Sequence, residues 1–331
     1  MNTAGTLILK RSEVAALLSL DACIAAVEQA FQLHGEGKTG PPGMLSLHAP
    51  GGAFHIKAGT LATSRSYFAV KANANFMHNR ERFGLPTIQG IIALYDAERG
   101  APLAIMDSME ITIQRTGAAT AVAAKFLARA DARVAVICGC GNQGRIQLRA
   151  LARVRPIERA HAFDLDSALA EQFSRDLSAE LGIEVTPVAD LARAVLSSDI
   201  CVCCTPARQF YLKKEFVAPG TFISAVGADS AEKHELDPAL FAGNKIVVDI
   251  AEQCAACGDL RHALAAGLVT RSAVYAELGE IVAGRKPGRT SPAEITIFDS
   301  TGTALQDVAA AITVYEKAVA AGAGLRINLS D

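Results

Sequence analysis

Gly139, Gly141 and Gly144 stand at Gly-x-Gly-x-x-Gly spacing in "VICGCGNQGRIQLRAL", between a short apolar run and a helix-like one. A strand, a glycine turn and a helix in that order form a dinucleotide-binding fingerprint. The first glycine permits the tight turn. The second lets the backbone approach a pyrophosphate, and the third lets helix and strand pack closely. Unpaired N–H groups and the positive dipole end at the helix start then face the phosphates. Asp164 closes the next strand candidate, "RAHAFD". A carboxylate there can accept from both hydroxyls of an adenine ribose and would repel a 2′-phosphate. The expected cofactor is therefore NAD(H) rather than its phosphorylated form. Two later strand candidates end in "CCTPA" and "SAVGAD". Their carboxyl ends are where open α/β sheets hold ligands. Thr205-Pro206 is expected to wall the nicotinamide side. Gly227 and Asp229 end the other strand, with Asp229 facing the substrate; its alternative role is an N-cap for "SAEKHEL".

A second set of residues offers positive charge. Lys71 lies inside the apolar run "YFAVKANANF" and Lys57 inside "AFHIKAG". A lysine on a buried sheet face needs an anionic partner, and a substrate carboxylate would serve. His55 and Lys57 share one face of their segment because strand side chains alternate. Arg115, in "IQRTGAAT", reads as standing just before a helix, where its planar fork could hold a carboxylate at two points. For each cation the competing role is a structural ion pair.

These residues need two frameworks to hold them. Residues 11–34 carry apolar positions at helical spacing with a break near Ser19-Leu20-Asp21, and Asp21 is the candidate N-cap of the second helix. From 44 to about 106, short alternating runs separated by Gly, Pro and Asn read as an antiparallel sheet. Residues 108–129 become Ala-rich and helical after Thr116-Gly117. From Arg133 onward, "RVAVICG", "RAHAFD", "IEVTP", "DICVCC", "TFISAVG" and "KIVVDI" are strand candidates, several separated by helical segments. That alternation implies a parallel, doubly wound sheet. The chain closes on a long Ala-rich helical stretch, "ALQDVAAAITVYEKAVAAG".

Composition removes other classes. The 331 residues carry a net charge of −2, no tryptophan and no long block of one charge, which argues against nucleic-acid binding. No stretch is apolar enough for a membrane span, and the start "MNTAGTLILKRSEV" has too short an apolar run for a signal peptide. A cytoplasmic protein is expected, and its eight cysteines read as reduced, mostly buried thiols. Cys254-Ala-Ala-Cys257 with His262 nearby has metal-ligand spacing, but no second pair completes a zinc site. A helix end before Gly258 is the expected reading, with no metal.

The series "VKANANF", "LPTIQGIIALYDAERGAPLAIMDSMEITIQRTGAATAVAAKFLAR", "VICGCGNQG", "SAVGAD" and "ITIFDSTGTALQD" resembles the ornithine cyclodeaminase/μ-crystallin family almost end to end. That family includes archaeal-type alanine dehydrogenases and reductases of cyclic imino acids. The resemblance implies an α/β fold in which an NAD-binding Rossmann domain, residues 119–300, is inserted into an α+β substrate and dimerisation domain, residues 1–118 plus 301–331. It implies a homodimer. By motif, Lys71 and Arg115 would bind the substrate carboxylate, Lys71 and Asp229 would be catalytic, and Thr87 with His55 and Lys57 would lie near the substrate. Thr116, Gly139, Gly141, Asn142, Gln143, Gly144, Asp164, Thr205, Val226, Gly227, Asp229, Ser300 and Thr301 would contact NAD. Two departures stand out. Pro41-Pro42 is followed by Gly43 where members often carry an arginine, and the "AFHIKAG" segment lacks the acid that holds a distal amine in cyclodeaminases. Lys57 either replaces that arginine or binds a second acidic group. A pocket of Lys57, Lys71 and Arg115 is expected to repel a distal ammonium. This favours an NAD(H)-dependent imino acid reductase or amino acid dehydrogenase acting on a small amino/imino acid. The rivals are a redox-neutral ornithine cyclodeaminase and a non-catalytic crystallin-like protein.

Overall fold

The computed structural model describes residues 5–329, so the first four residues of the stretch read for a signal peptide lie outside the described residues. In chain order the elements are β1 (Thr6–Leu9), α1 (Arg11–Leu17), α2 (Leu20–Gly35), β2 (Gly43–Ala49), β3 (Gly52–Ala62), β4 (Ser66–Asn75), α3 (Asn79–Phe83), β5 (Ile88–Asp96), β6 (Pro102–Asp107) and α4 (Met109–Leu127). Then come β7 (Val134–Cys138), α5 (Asn142–Val154), β8 (Arg159–Phe163), α6 (Ser167–Leu181), β9 (Glu184–Pro187), α7 (Leu191–Leu196), β10 (Ile200–Cys203), β11 (Phe222–Ala225) and β12 (Lys245–Val248). The chain ends with α8 (Ala251–Cys257), α9 (Leu260–Ala265), β13 (Val274–Glu277), α10 (Leu278–Val282), β14 (Thr296–Asp299), α11 (Ala304–Ala321) and β15 (Leu325–Ile327). Two compact units result: the chain up to Arg115 together with the chain from Thr303 onward, and Thr116–Gly302.

The first unit is built on a sheet of order β15-β1-β6-β5-β4-β3-β2. From β2 to β6 every neighbouring pair is antiparallel, as the alternating runs predict; β1 joins β6 in parallel. On one face lie Leu61, Tyr67, Ala69, Ile92 and Leu94, all buried. Helix α11 packs on this face and against α2, which explains why it is apolar nearly all round. The opposite face is different: Leu45, Leu47, Phe54 and Ile91 are 42 to 51% exposed. Two local readings need correction. The N-cap of α2 is Ser19, whose hydroxyl accepts from Ala22 N, and Asp21 sits in the first turn. Helix α4 begins at Met109, not after Thr116-Gly117, so Arg115 lies inside a helix rather than before one. Asp107 accepts from Met109 N and starts that helix more than two turns early.

The second unit is an eight-stranded sheet of order β13-β12-β14-β11-β10-β7-β8-β9, parallel throughout. The five strands β9-β8-β7-β10-β11 follow the Rossmann order 3-2-1-4-5, with the reversal between β7 and β10, and the unit's last strand, β14, takes the sixth place ahead of β12 and β13. Strand interiors are buried without alternation, as helix-covered parallel strands require. Strands β13 and β14 had not been singled out from sequence, nor had β1 and β15. No single helix among the described residues is long and apolar enough to cross a membrane.

Candidate active site

In the second unit the three glycines have distinct jobs. Gly139 turns the chain with φ +102°, a region that strains other residues. A Cβ at Gly144 would collide with the Gly139 carbonyl, so only glycine lets α5 start there. A Cβ at Gly141 would meet no protein atom within 4 Å, although its backbone is ordinary (φ −77°). The space beside Gly141 is therefore open at the N-terminus of α5, where a pyrophosphate needs it. Asn142 and Gln143 open that helix, and Gln143 Oε1 is a buried acceptor with no protein partner. Asp164, just past β8, is fixed by Cys140 N on one oxygen (2.8 Å) and Asp166 N on the other (3.0 Å).

A cavity of about 660 Å³ lies alongside, lined by Gly139, Gly141, Asp164, Leu165, Thr205 and Pro206 among others. The chain thus fits a dinucleotide: an open glycine turn, a helix N-terminus and an acid at one cavity. Thr205 and Pro206 line the same cavity as Asp164.

The other strand ends are braced by buried acids that sequence reasoning missed. Glu235 is fully buried. Its Oε1 accepts from Thr205 N (2.7 Å), Thr205 Oγ1 (2.7 Å) and Tyr211 OH (2.8 Å), and its Oε2 accepts from Gly227 N (2.9 Å). Burial pushes its carboxyl up to about 8, and the Thr205 and Tyr211 bonds pull the other way. Asp249 accepts from Ser300 Oγ (2.8 Å) and Gly302 N (2.7 Å), which orients the turn after β14. Ser300 and Thr301 are buried in that turn, with Thr301 Oγ1 3.5 Å from Gln253 Oε1. Val226, after β11, donates its N–H to Cys203 O. Thr116 is a nearly buried residue of α4.

Asp229 caps no helix, because 226–234 is irregular chain. It pairs with Lys233 (2.6 Å), a second charged residue of the "GADSAEKHEL" turn that sequence reading passed over. The thiols of Cys254 and Cys257 donate within α8 and to Asp249 Oδ1 and Asp299 O, with Gly258 as the helix end. Cys138, Cys201 and Cys203 bring their sulfurs within 4.8 Å of one another inside the apolar core of this unit.

In the first unit the cations converge. Lys57 and Lys71 are direct cross-strand partners on β3 and β4, with His55 opposite Asn73 one pair along. Lys71, Arg115 and Asp307 are 3, 6 and 2% exposed. Lys71 Nζ lies 2.8 and 2.7 Å from the two Asp307 oxygens. Arg115 Nε is 3.1 Å from Asp307 Oδ1, and its Nη1 donates to Gln306 Oε1 at 2.8 Å. His55 turns Nδ1 to Ser46 Oγ (3.1 Å). Thr87 stands in the half-buried turn before β5, its carbonyl accepting from Phe76 N (2.8 Å).

Asp307 corrects the picture of a purely basic pocket: one anion already sits between the cations. Burial drives the Lys71 ammonium down to about 7, with Asp307 opposing that and Arg115 and Lys57 adding to it. Burial also works against the Asp307 charge, but Lys71 and Arg115 outweigh it and hold its carboxyl below the ordinary range. The two partners cannot both draw fully on one another. The Arg115 guanidinium keeps Asp307 ionised even where Lys71 loses its proton, so Lys71 is the member that titrates.

The model of the ornithine cyclodeaminase/mu-crystallin family matches residues 4–322. The chain belongs to this family. It is 40% identical to the alanine dehydrogenase of Archaeoglobus fulgidus, over 98% of each chain. Among solved structures, an archaeal alanine dehydrogenase dimer with bound NAD is 39% identical (TM-score 0.94), with 98% of this chain and 99% of that one covered. The Δ1-pyrroline-2-carboxylate reductase of Thermococcus litoralis, in complex with NADH and L-proline, is 36% identical (TM-score 0.92), with 97 and 100% covered. NAD(H) is the cofactor of this family member, in keeping with the glycine turn and Asp164.

Proposed function

We propose that this family member is an NAD(H)-dependent oxidoreductase acting at the carbon–nitrogen bond of a small α-imino or α-amino acid. Reduction of a cyclic imine such as pyrroline-2-carboxylate, or reversible amination as in alanine dehydrogenases, is the reaction type. One observation carries this reading: the buried Lys71–Asp307–Arg115 cluster on the sheet face, with Gln306 Nε2 beside it as a buried donor without a protein acceptor. Two cations, an amide donor and one anion leave a net positive, directional seat for one carboxylate.

Bound NADH supplies a hydride to the carbon bearing nitrogen. The protein supplies position and proton. Lys71 and Arg115 hold the α-carboxylate and so fix the adjacent carbon. Asp229, polarised by Lys233, exchanges a proton with the substrate nitrogen. Lys57, His55 and Thr87 face the remainder of the substrate. Thr116, Gly139, Gly141, Asn142, Gln143, Gly144, Asp164, Thr205, Val226, Gly227, Ser300 and Thr301 hold the cofactor. Asp307 is already shared by Lys71 and Arg115, so it is no free counter-ion for a distal ammonium, which disfavours a cyclodeaminase.

The first unit serves substrate binding and dimerisation. Its exposed apolar face, with Leu45, Leu47, Phe54 and Ile91, is the kind of surface a second copy covers. Free cysteines throughout, seven of eight buried, fit a reducing compartment such as the cytoplasm.

The deciding assay has two arms. L-Ornithine with a trace of NAD+ is followed for proline and ammonia. NADH oxidation is followed with pyrroline-2-carboxylate, then with pyruvate and ammonia. Substrate-dependent NADH oxidation with no turnover of ornithine supports the reading. Many turnovers of ornithine per NAD, without NADH accumulation, overturn it.

A further inference from the structure

Glu235 spans two loops that each follow a different strand. Thr205 follows β10 and lines the cavity shared with Asp164; Gly227 follows β11, one strand further from β8. A Rossmann sheet lays its ligand across the carboxyl ends of the strands, with the adenosine end toward β8. The β10 loop shares the Asp164 cavity, and the β11 loop, one strand further from β8, lies toward the nicotinamide end. Glu235 is fully buried, reaches Thr205 and Tyr211 with one oxygen, and reaches Gly227 with the other. A Cβ at Gly227 would collide with Glu235 Oε2 and with Thr205 O, so the three groups are in close contact. The Glu235 backbone is itself anchored: its N–H donates to Asp259 Oδ1 (2.8 Å), and its carbonyl accepts from Tyr211 N and Leu212 N (3.1 Å each). Asp259 N in turn donates to Asp299 Oδ1 (3.3 Å), at the end of β14.

We infer that Glu235 is a positioning residue for the cofactor, a brace that sets the nicotinamide-side loop at Gly227 against the adenosine-side loop at Thr205. The inference rests on the cofactor reading above and adds to it a residue that acts through the Thr205 and Gly227 loops. The two oxygens are not equivalent. Three donors converge on Oε1 and one on Oε2, so the charge-neutral isostere has one favoured orientation. In Glu235→Gln the amide oxygen stays with Thr205 and Tyr211, and the amide NH2 is turned against the Gly227 N–H. The β10 loop keeps its bonds while the β11 loop loses its tether and gains an opposed donor. Buried donors left without acceptors are costly, whereas the retained bonds are not disturbed.

The test separates the two halves of the cofactor. Dissociation constants of NADH and of ADP-ribose, which lacks the nicotinamide, are measured by titration calorimetry for the wild type, Glu235→Gln and Glu235→Asp. Thermal unfolding is recorded alongside. Glu235→Asp keeps the carboxyl group but is one methylene too short to reach both loops, and it serves if the amide variant does not fold. The expected result is NADH binding about tenfold weaker in the variant, equivalent to ~1.4 kcal/mol, with ADP-ribose binding within about twofold of wild type. Equal weakening of both ligands would make Glu235 a general structural residue, and unchanged binding of both would remove any role; either overturns the inference. Wild-type protein that fails to bind ADP-ribose would instead overturn the cofactor reading beneath it.

Discussion

Lys71 is driven down to about 7 by its burial, despite an Asp307 carboxylate 2.7 Å away. A substrate carboxylate seated on Lys71 brings a second anion to the same ammonium. An opposite charge within about 4–6 Å moves a pKa by about 1–3 units, so two units is a fair middle value, taking Lys71 to about 9. The sign follows directly: the liganded protein binds more protons than the free protein between pH 7 and 9, so ligand binding draws a proton in. At pH 8 the free protein holds about one tenth of a proton on Lys71 and the complex about nine tenths, an uptake of ~0.8 proton per site. Carboxylate affinity should correspondingly fall about 25-fold from pH 7 to pH 9, and the coupling of proton and ligand is ~2.7 kcal/mol. The assay is titration calorimetry with pyrrole-2-carboxylate, which has no amine to titrate, in the presence of saturating NADH. Runs at pH 8 in phosphate and in Tris differ in buffer ionisation enthalpy, and the difference counts the protons. Lys71→Arg should abolish the uptake, because a guanidinium does not titrate in this range. Identical enthalpies in both buffers for the wild type, or an undiminished uptake in Lys71→Arg, would refute the reasoning.

Four further outcomes are expected. Gly141→Ala should leave the melting temperature unchanged and weaken NADH, since its Cβ meets no protein atom, whereas Gly144→Ala should destabilise the fold because its Cβ strikes the Gly139 carbonyl; a thermal scan and an NADH titration on each distinguish them. Asp307→Asn leaves Lys71 and Arg115 buried side by side without their anion, and urea unfolding should show a loss of about 3–5 kcal/mol; a loss under 1 kcal/mol would mean that the cluster relaxes freely. Asp164→Ser should weaken NADH by roughly 10- to 100-fold, the worth of hydrogen bonds to a charged group, and narrow the gap to NADPH, read from kcat/KM with each. Ile91→Glu places a charge in the exposed apolar face and should halve the mass measured by light scattering; an unchanged mass would place the interface elsewhere.

The parts legible in the sequence are those whose physics is local. The glycine turn must be glycine whatever surrounds it, parallel strands must be apolar on both faces, and half-buried antiparallel strands must alternate. Each leaves its mark within a dozen residues. The cross-strand pairing of Lys57 with Lys71 was not legible in this way, because alternation assigns faces within one strand and leaves the register between strands open. Where the reading went astray, a side chain or a start signal overrode a local pattern. Asp107 begins α4 more than two turns before the Ala-rich run suggests, and Ser19 caps α2 in place of Asp21.

The acids were missed for a different reason. The residues around Lys71 in sequence do not point to its counter-charge, because Asp307 approaches from a helix 236 positions away. A sheet face is covered by whatever helix the topology brings back, and here that helix is the last one in the chain. Glu235 was hidden in the opposite manner. In "SAEKHEL" it looks like one more charge on a solvated segment, but its partners are backbone N–H groups and hydroxyls, which carry no sequence signature. Both acids are within 2% of full burial. A buried acid requires donors or cations around it, so each marks a place where the fold holds its ligands' supports in fixed relation. The argument against a distal amine survives in altered form. It rests not on a pocket without acids but on one whose acid is already shared by Lys71 and Arg115. Such an acid is no free counter-ion, and it keeps the seat directional: Asp307 orients both cations before the substrate carboxylate arrives.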